Sequence, residues 1–450
     1  MPQSLQITAA NVDPALLDLP WDVPLEEWPE DILAALPRGI SRHVVRFVNL
    51  AGRVIAVKEI GEPVAYQEYA LLRDLSRMES PSVQPTAVIT GRKDKNGEEL
   101  NAVLVTEHLR FSLPYRALFS RKISKETIDR LIDALAVLLV RLHLLGFYWG
   151  DVSLSNTLFR RDAGAFSAYL VDAETGELHP KLTDGQREYD LDLARVNIIG
   201  ELMDLQAGGY MGDFDDVVAM GERLVERYNA LWKELTEVEE VSAGERWKVQ
   251  EKIDRLADLG FSVGELTMTS DAEGDRLLIQ PKVVDAGHYH RAIMRLTGIE
   301  AEERQARRML EDIEAYRAAE GKPGQRFEHV AHAWMNDVYE PVIQAIPPEL
   351  SAKLEPAEVF HEILEHRWYL AQQQQRDVPL QEVIDSYLGE VLPAKRDEAV
   401  LLSGPDDEPL SGYADLVGEE DWEDEPDEDE AGEEEPPAEE TPAEETPAET

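Results

Sequence analysis

The chain has 450 residues, room for about three domain-sized units, which excludes a peptide hormone or a small disulfide-stapled module. Its 91 acidic residues against 44 basic ones give a formal charge of −47, which argues against a nucleic-acid-binding protein. There is no cysteine, so disulfides, thiolate metal sites and cysteine nucleophiles are all ruled out, in keeping with a reducing compartment.

Residues 1–37 alternate Pro, Trp and acids (Pro20, Trp21, Pro24, Trp28, Pro29) with no sustained period. They lack a basic segment and a continuous apolar core, so they read as an ordered arm lying on a neighbouring domain and not as a secretory signal. Two β-branched runs, His43–Val48 and Arg53–Ile60, joined at Leu50-Ala51-Gly52, predict a hairpin. Tyr66, Tyr69, Leu72 and Leu75 predict a helix over 64–78. Strands at 83–90 and 101–107 flank Asp94-Lys95-Asn96-Gly97, where Asn-Gly supplies the positive φ of a tight turn. The first hundred residues therefore predict a small antiparallel sheet with one inserted helix.

The pattern then turns helical. Ile128, Leu131, Ile132, Leu135, Leu138, Leu139 and Leu142 share one face of a buried helix over 125–145, bounded by Gly146. The most apolar stretch, 131–147, is interrupted by Asp133, Arg141 and His143 and is short for a bilayer span, so no transmembrane segment and a soluble, cytoplasmic protein are expected. A loop, short strands at 157–160 and 168–171, and a helix at 188–205 follow, with Gly208, Gly209 and Gly212 as a boundary. Residues 213–260 read as charged amphipathic helices, 262–270 with 276–284 as a hairpin, and 287–318, 326–345, 356–374 and 379–391 as helices. From about residue 404 the Pro-Ala-Glu-Glu-Thr repeat and 22 carboxylates with no Lys or Arg predict a disordered acidic tail, offering a possible surface for a protein partner.

The chemistry sits where the sheet meets the long helix. Lys58 lies on a strand, Glu68 on the next helix, Asp151 and Asn156 in the loop Gly150-Asp151-Val152-Ser153-Leu154-Ser155-Asn156, and Asp172 at the end of a short apolar strand. Phosphoryl transfer needs these roles: a lysine on the nucleotide phosphates steadied by a glutamate, an aspartate to deprotonate the acceptor hydroxyl, and an Asn and an Asp to hold Mg²⁺. Any one pair is commonplace; the order, spacing and strand-helix-loop context carry the reading. His143 and Trp149 read as packing residues below that loop. His361 and His366 are five apart, about 140° round a helix, and so do not form a metal pair. His288 and His290 fall on opposite sides of either regular element. Arg304, Arg307 and Arg308, answered by Glu302, Glu303 and Glu311, read as a solvated helix face.

The segment Leu142–Asn156 resembles the catalytic loop of protein-kinase-like phosphotransferases, notably small-molecule and lipopolysaccharide kinases. Ala56-Val57-Lys58 resembles their third-strand lysine, Glu68 its helix partner, and Val171-Asp172-Ala173-Glu174 stands in place of their Asp-Phe-Gly metal ligand. The resemblance covers residues 38–205. A narrower one, carried by Phe111–Arg116 and Val171–Leu178, is to an uncharacterised bacterial domain of unknown function allied to lipopolysaccharide kinases and extends to about residue 392. It implies an α+β fold: an arm (1–37), a two-lobed kinase-like domain (38–212), an α-rich domain with one β-hairpin (213–403) and the tail. The resemblance to protein-kinase-like phosphotransferases implies ATP and Mg²⁺ as cofactors, with Gly39, Ser41 and Arg42 covering the phosphates beside Lys58. The acceptor would be a hydroxyl of an unidentified small molecule, glycan or lipid.

This chain departs from the kinase pattern in several places. The glycine-rich loop is reduced to Gly39-Ile40-Ser41-Arg42, Trp149-Gly150 replaces His-Arg before the aspartate, and no Ala-Pro-Glu anchor follows Asp172. These leave a second reading open, a pseudokinase that docks partners through its helical domain and tail.

Overall fold

The computed structural model describes residues 5–10, 13–34, 43–119, 124–212, 216–237, 239–242, 245–258, 261–270, 276–319, 324–395 and 397–399. Gly39, Ser41, Arg42 and the acidic tail lie outside the described residues.

The amino-terminal arm contributes β1 (Gln6–Ala9), then β2 (Val44–Leu50) and β3 (Arg53–Ile60) form the expected hairpin. Its turn is made by Ala51 and Gly52, both at positive φ, the conformation a two-residue connection needs. Helix α1 (Glu62–Arg77) carries Pro63 in its first turn, where the missing N–H costs nothing. Strands β4 (Pro85–Thr90) and β5 (Ala102–Glu107) complete an antiparallel sheet of order β1-β4-β5-β3-β2. The edge strand β1 is unforeseen in the sequence because its four residues are too few to show a period. Beyond it, Leu16, Leu19, Trp21, Leu25 and Trp28 pack on the outer face of the sheet around Val48, Ile55, Val57 and Val105. Arg92, fully buried, fastens this layer by donating to Trp21 O and Val23 O and pairing with Glu59.

The second lobe begins with β6 (Leu113–Pro114), α2 (Tyr115–Phe119) and the buried α3 (Lys125–Leu144), capped by Ser124 and ended by Gly146 at φ +82°. Short β7 (Phe147–Tyr148) pairs with β10 (Glu177–Leu178), enclosing the hairpin β8 (Thr157–Asp162) and β9 (Ala165–Leu170). Both hairpin strands are longer than their sequence suggests. Arg161 and Asp162 lie beyond the expected strand yet extend β8, their charges met elsewhere in the fold. Helix α4 (Asp184–Ala207) begins four residues before the apolar pattern does, because Thr183 and Gln186 form a reciprocal capping box. Helix α5 (Val217–Thr236) packs on α3 and α4 through Leu224, Tyr228 and Leu231, which share one core with Leu135, Leu139 and Leu142.

Next, β11 (Glu239–Ser242) adds an unexpected third strand to the hairpin of β12 (Phe261–Ser270) and β13 (Arg276–Ala286), with α6 (Arg246–Asp258) between. The helices expected over 287–318 are α7 (His288–Thr297) and α8 (Glu303–Ala319), divided where Gly298 takes φ +77° at the end of α7. Then α9 (Phe327–Trp334) runs through a widened turn at Met335–Tyr339 into α10 (Glu340–Gln344), where Pro341 has no N–H to donate. Helices α11 (Pro356–Gln374) and α12 (Leu380–Ser386) close a separate core around Trp334, Phe360 and Ile363. The described chain is thus α+β: a sheet lobe and a helical lobe, followed by a mainly helical region. No helix among the described residues is long and apolar enough to cross a membrane.

Candidate active site

Strand β3 points Lys58 toward the helical lobe, and its ammonium meets three carboxylates: Glu68 Oε2 on α1 at 3.1 Å, Asp172 Oδ2 at 2.7 Å and Glu174 Oε2 at 3.2 Å. Residues 114 positions apart are joined in one contact. Burial opposes the lysine's charge, but Glu68 and Asp172 outweigh it and hold its pKa above the usual value. Glu68 is buried, and burial together with the like charge of Asp172 pushes its carboxyl up to about 7 against the opposing pull of Lys58. One ammonium faces three acids, so the cluster carries excess negative charge. Oxygens of Glu68, Asp172 and Glu174 lie within 4.8 Å of one another, a donor set that suits a hard divalent cation.

The second group of predicted residues forms beside the first. Asn156 Nδ2 donates to Asp151 O at 3.0 Å and to Asp151 Oδ2 at 3.1 Å, leaving Oδ1 as the atom it could offer a cation. Asn197 on α4 donates to Val152 O at 3.1 Å and approaches Asp151 Oδ1 at 3.5 Å. Two contacts link this loop to the Val171-Asp172 segment: Val171 N donates to Asn156 O at 3.0 Å, and the buried Trp149 donates through Nε1 to Asp172 O at 2.8 Å. Lys58, Glu68 and Asp172 therefore meet directly, and Asp151 and Asn156 form a braced pair adjoining them.

Several residues that the sequence alone did not single out hold the loop in place. Asp190 of α4, with no exposed surface, accepts from Trp149 N and Gly150 N, both at 2.8 Å, and from His143 Nε2 at 3.0 Å. Burial lowers the His143 pKa more than Asp190 raises it, which favours the neutral ring; in that form Nε2–H donates to Asp190 and Nδ1 accepts from the Tyr228 hydroxyl at 2.7 Å. Gly150 sits at φ +75°, where a Cβ would lie 3.1 Å from Thr175 O. Glu201 accepts from Leu154 N at 2.7 Å and Ser155 N at 3.0 Å. Glu174 also pairs with His43 Nε2 at 2.9 Å. Only Glu174 left a signal, as an acid two positions after Asp172; Asp190 and Glu201 are ordinary α4 residues until the fold brings them under the loop.

The histidines read as unsuited to metal are held apart. His361 contacts Arg308 and Glu365, while His366 meets Ser386 Oγ at 3.0 Å. The arginine face needs a correction. Arg307 pairs with Glu311 and Arg308 with Glu365 as surface ion pairs, but Glu302 and Glu303 are buried and serve other partners.

Comparison with known families divides the chain in two. Residues 50–202 match the lipopolysaccharide kinase (Kdo/WaaP) family, and residues 230–392 match a domain of unknown function, DUF4032. The resemblance to lipopolysaccharide kinases, and the alliance with an uncharacterised domain reaching about residue 392, are both found. The second match begins after the Phe111–Arg116 and Val171–Leu178 segments that suggested it. Among solved structures, the chain is similar to "WaaP in complex with acyl carrier protein" at 15% identity and a TM-score of 0.34, over 56% of this chain and 99% of that one. No curated protein matches.

Proposed function

We propose that the chain is an ATP- and Mg²⁺-dependent phosphotransferase that moves a phosphoryl group to a hydroxyl of a small molecule, glycan or lipid. The observation carrying this reading is the meeting of Lys58, Glu68 and Asp172 at one point, beside a loop that braces Asp151 against Asn156. In this mechanism Lys58 binds the nucleotide phosphates while Glu68 holds it in line from α1. Asp151 accepts the proton of the acceptor hydroxyl as that oxygen bonds to the γ-phosphorus, and the bond to ADP breaks. Asn156 Oδ1, Asp172 and Glu174 are the groups to hold Mg²⁺, which when bound supplies charge neutralisation at the phosphates. Gly39, Ser41 and Arg42 precede β2 and would cover the phosphates.

The two aspartates provide the test. Asp172→Asn should weaken Mg²⁺-dependent ATP binding, measured by calorimetry, together with turnover. Asp151→Asn should keep that binding and lose about 10²–10⁴ of the rate of ATP hydrolysis or transfer. If wild type and Asp151→Asn bind nucleotide equally and turn over equally slowly, the chain is a nucleotide-binding adaptor.

A further inference from the structure

Asn156 immediately precedes β8 and Asp172 follows β9 by one residue, so the β8–β9 hairpin separates two proposed metal ligands at its open end. Its closed end is enclosed by the carboxy-terminal helices. Asp162 Oδ1 accepts from Arg304 N and Gln305 N, both at 2.9 Å, and so caps the first turn of α8. Ala163 N donates to Glu358 Oε2 at 3.1 Å, and Gln305 Nε2 donates to Glu358 Oε2 at 2.6 Å and to Arg161 O at 3.2 Å. Arg161 pairs with Glu398 at 3.0 Å. Arg160 pairs with Glu302 at 2.9 Å and with Glu355, and Tyr169 donates to Glu302 at 2.7 Å. Asp162, Glu302, Gln305, Glu358 and Glu398 are all buried, so these bonds are shielded from water.

The grip is concentrated at this tip. Toward the interlobe junction the helices stand away from the kinase-like lobes across a cavity of about 960 Å³, bordered by Ser82, Phe111, Val137, Phe166 and Ile299. At its rim, Arg291 of α7 pairs with Glu79, just beyond the end of the helix that carries Glu68. The helical region therefore grips the hairpin at its tip and touches the segment after α1 through one exposed ion pair.

We propose that the helices over 288–398 act as a positioning element for the phosphotransfer site: by clamping residues 160–163 they set the separation of Asn156 and Asp172, with Glu302, Glu358 and Gln305 as positioning residues. This rests on the phosphotransfer reading. Strand β6 adds only two residues beside β8, and Val171 N–Asn156 O ties the open end, so this small sheet gains its remaining rigidity from the clamp at its tip. Groups that orient metal ligands from outside typically change metal affinity about 10–100-fold when replaced.

The test uses the full chain with Glu302→Gln and Glu358→Gln, each shape-conserving, and Val342→Ala as a control that loosens the same helical core without touching the hairpin. Melting temperature, ATP affinity without Mg²⁺, and the Mg²⁺ concentration giving half-maximal ATP binding are measured for each. Hydrogen exchange of residues 153–158 and 170–174 is followed without nucleotide. The expected result is a rise of about ten-fold in the Mg²⁺ requirement for both glutamine variants, unchanged Mg²⁺-free affinity and faster exchange in the two segments. Val342→Ala should show none of these at a comparable loss of melting temperature. An equal shift in Val342→Ala, or no shift in either glutamine variant, overturns the proposal. If wild type binds no nucleotide, the phosphotransfer reading fails, while the exchange result still decides whether the helices set the two segments. A variant that unfolds is replaced by Glu398→Gln, which removes one outer contact of Arg161.

Discussion

Replacing Asp190 by Asn perturbs one oxygen-for-nitrogen exchange in a fully enclosed position. The carboxylate accepts three hydrogen bonds, two from successive backbone N–H groups of the Trp149-Gly150 segment and one from His143. An amide has one acceptor and one donor end, so in either orientation an N–H of the loop or of His143 faces an NH₂ group. Leaving a buried donor unmade costs about 1–3 kcal/mol, and the surviving bonds lose their charge assistance, for a total of about 3 kcal/mol. For a unit of 150–250 residues that corresponds to a fall of about 6–12 °C in Tm, readable by circular dichroism. Gly150 directly precedes Asp151, so turnover should fall with the loop's displacement, while Mg²⁺-free ATP binding at Lys58 should persist because β3 and α1 do not touch Asp190. A melting temperature within about 2 °C of wild type would refute the claim that this carboxylate suspends the loop.

Lys58→Met should keep the fold, leave Glu68, Asp172 and Glu174 without their shared cation, and abolish detectable ATP binding by calorimetry. Gly146→Ala should destabilise by more than about 3 kcal/mol in urea unfolding, because the added Cβ would lie 2.0 Å from His179 O at a φ of +82°. The buried acids at the helical interface predict an unusual pH dependence. Burial, opposed by Arg160 and reinforced by Glu302, Glu300 and Glu358, pushes Glu355 up to about 8, and burial with Glu302 pushes Asp162 up to about 7. Both folded values exceed the unfolded ones, so the stability they contribute is full below about pH 4 and is lost as pH rises toward 8. Tm should therefore fall between pH 5 and pH 8.5, and Glu355→Gln should flatten part of that fall.

Local pattern made much of the kinase-like region legible. The β2–β3 hairpin shows in its β-branched runs and its Ala51-Gly52 turn, α3 in its leucine stripe, and the site in the order of Lys58, Glu68, Asp151, Asn156 and Asp172. These are properties of neighbouring residues, where a side-chain period of two or of 3.6 is written directly into the chain. What the sequence left hidden is of another kind. Arg161 and Asp162 read as lying past the strand because strand periodicity scores charge as exposure, yet partners about 140 to 240 positions away bury and pair them. Asp190 and Glu201 look like solvent-facing helix acids until the fold lays the loop's backbone N–H groups over them. A buried charge is tolerated only with a matching partner, and the partner's distance along the chain has no local trace. The sequence thus determined which groups are candidates for the proposed phosphoryl transfer; only the tertiary structure decided which residues hold those groups in position.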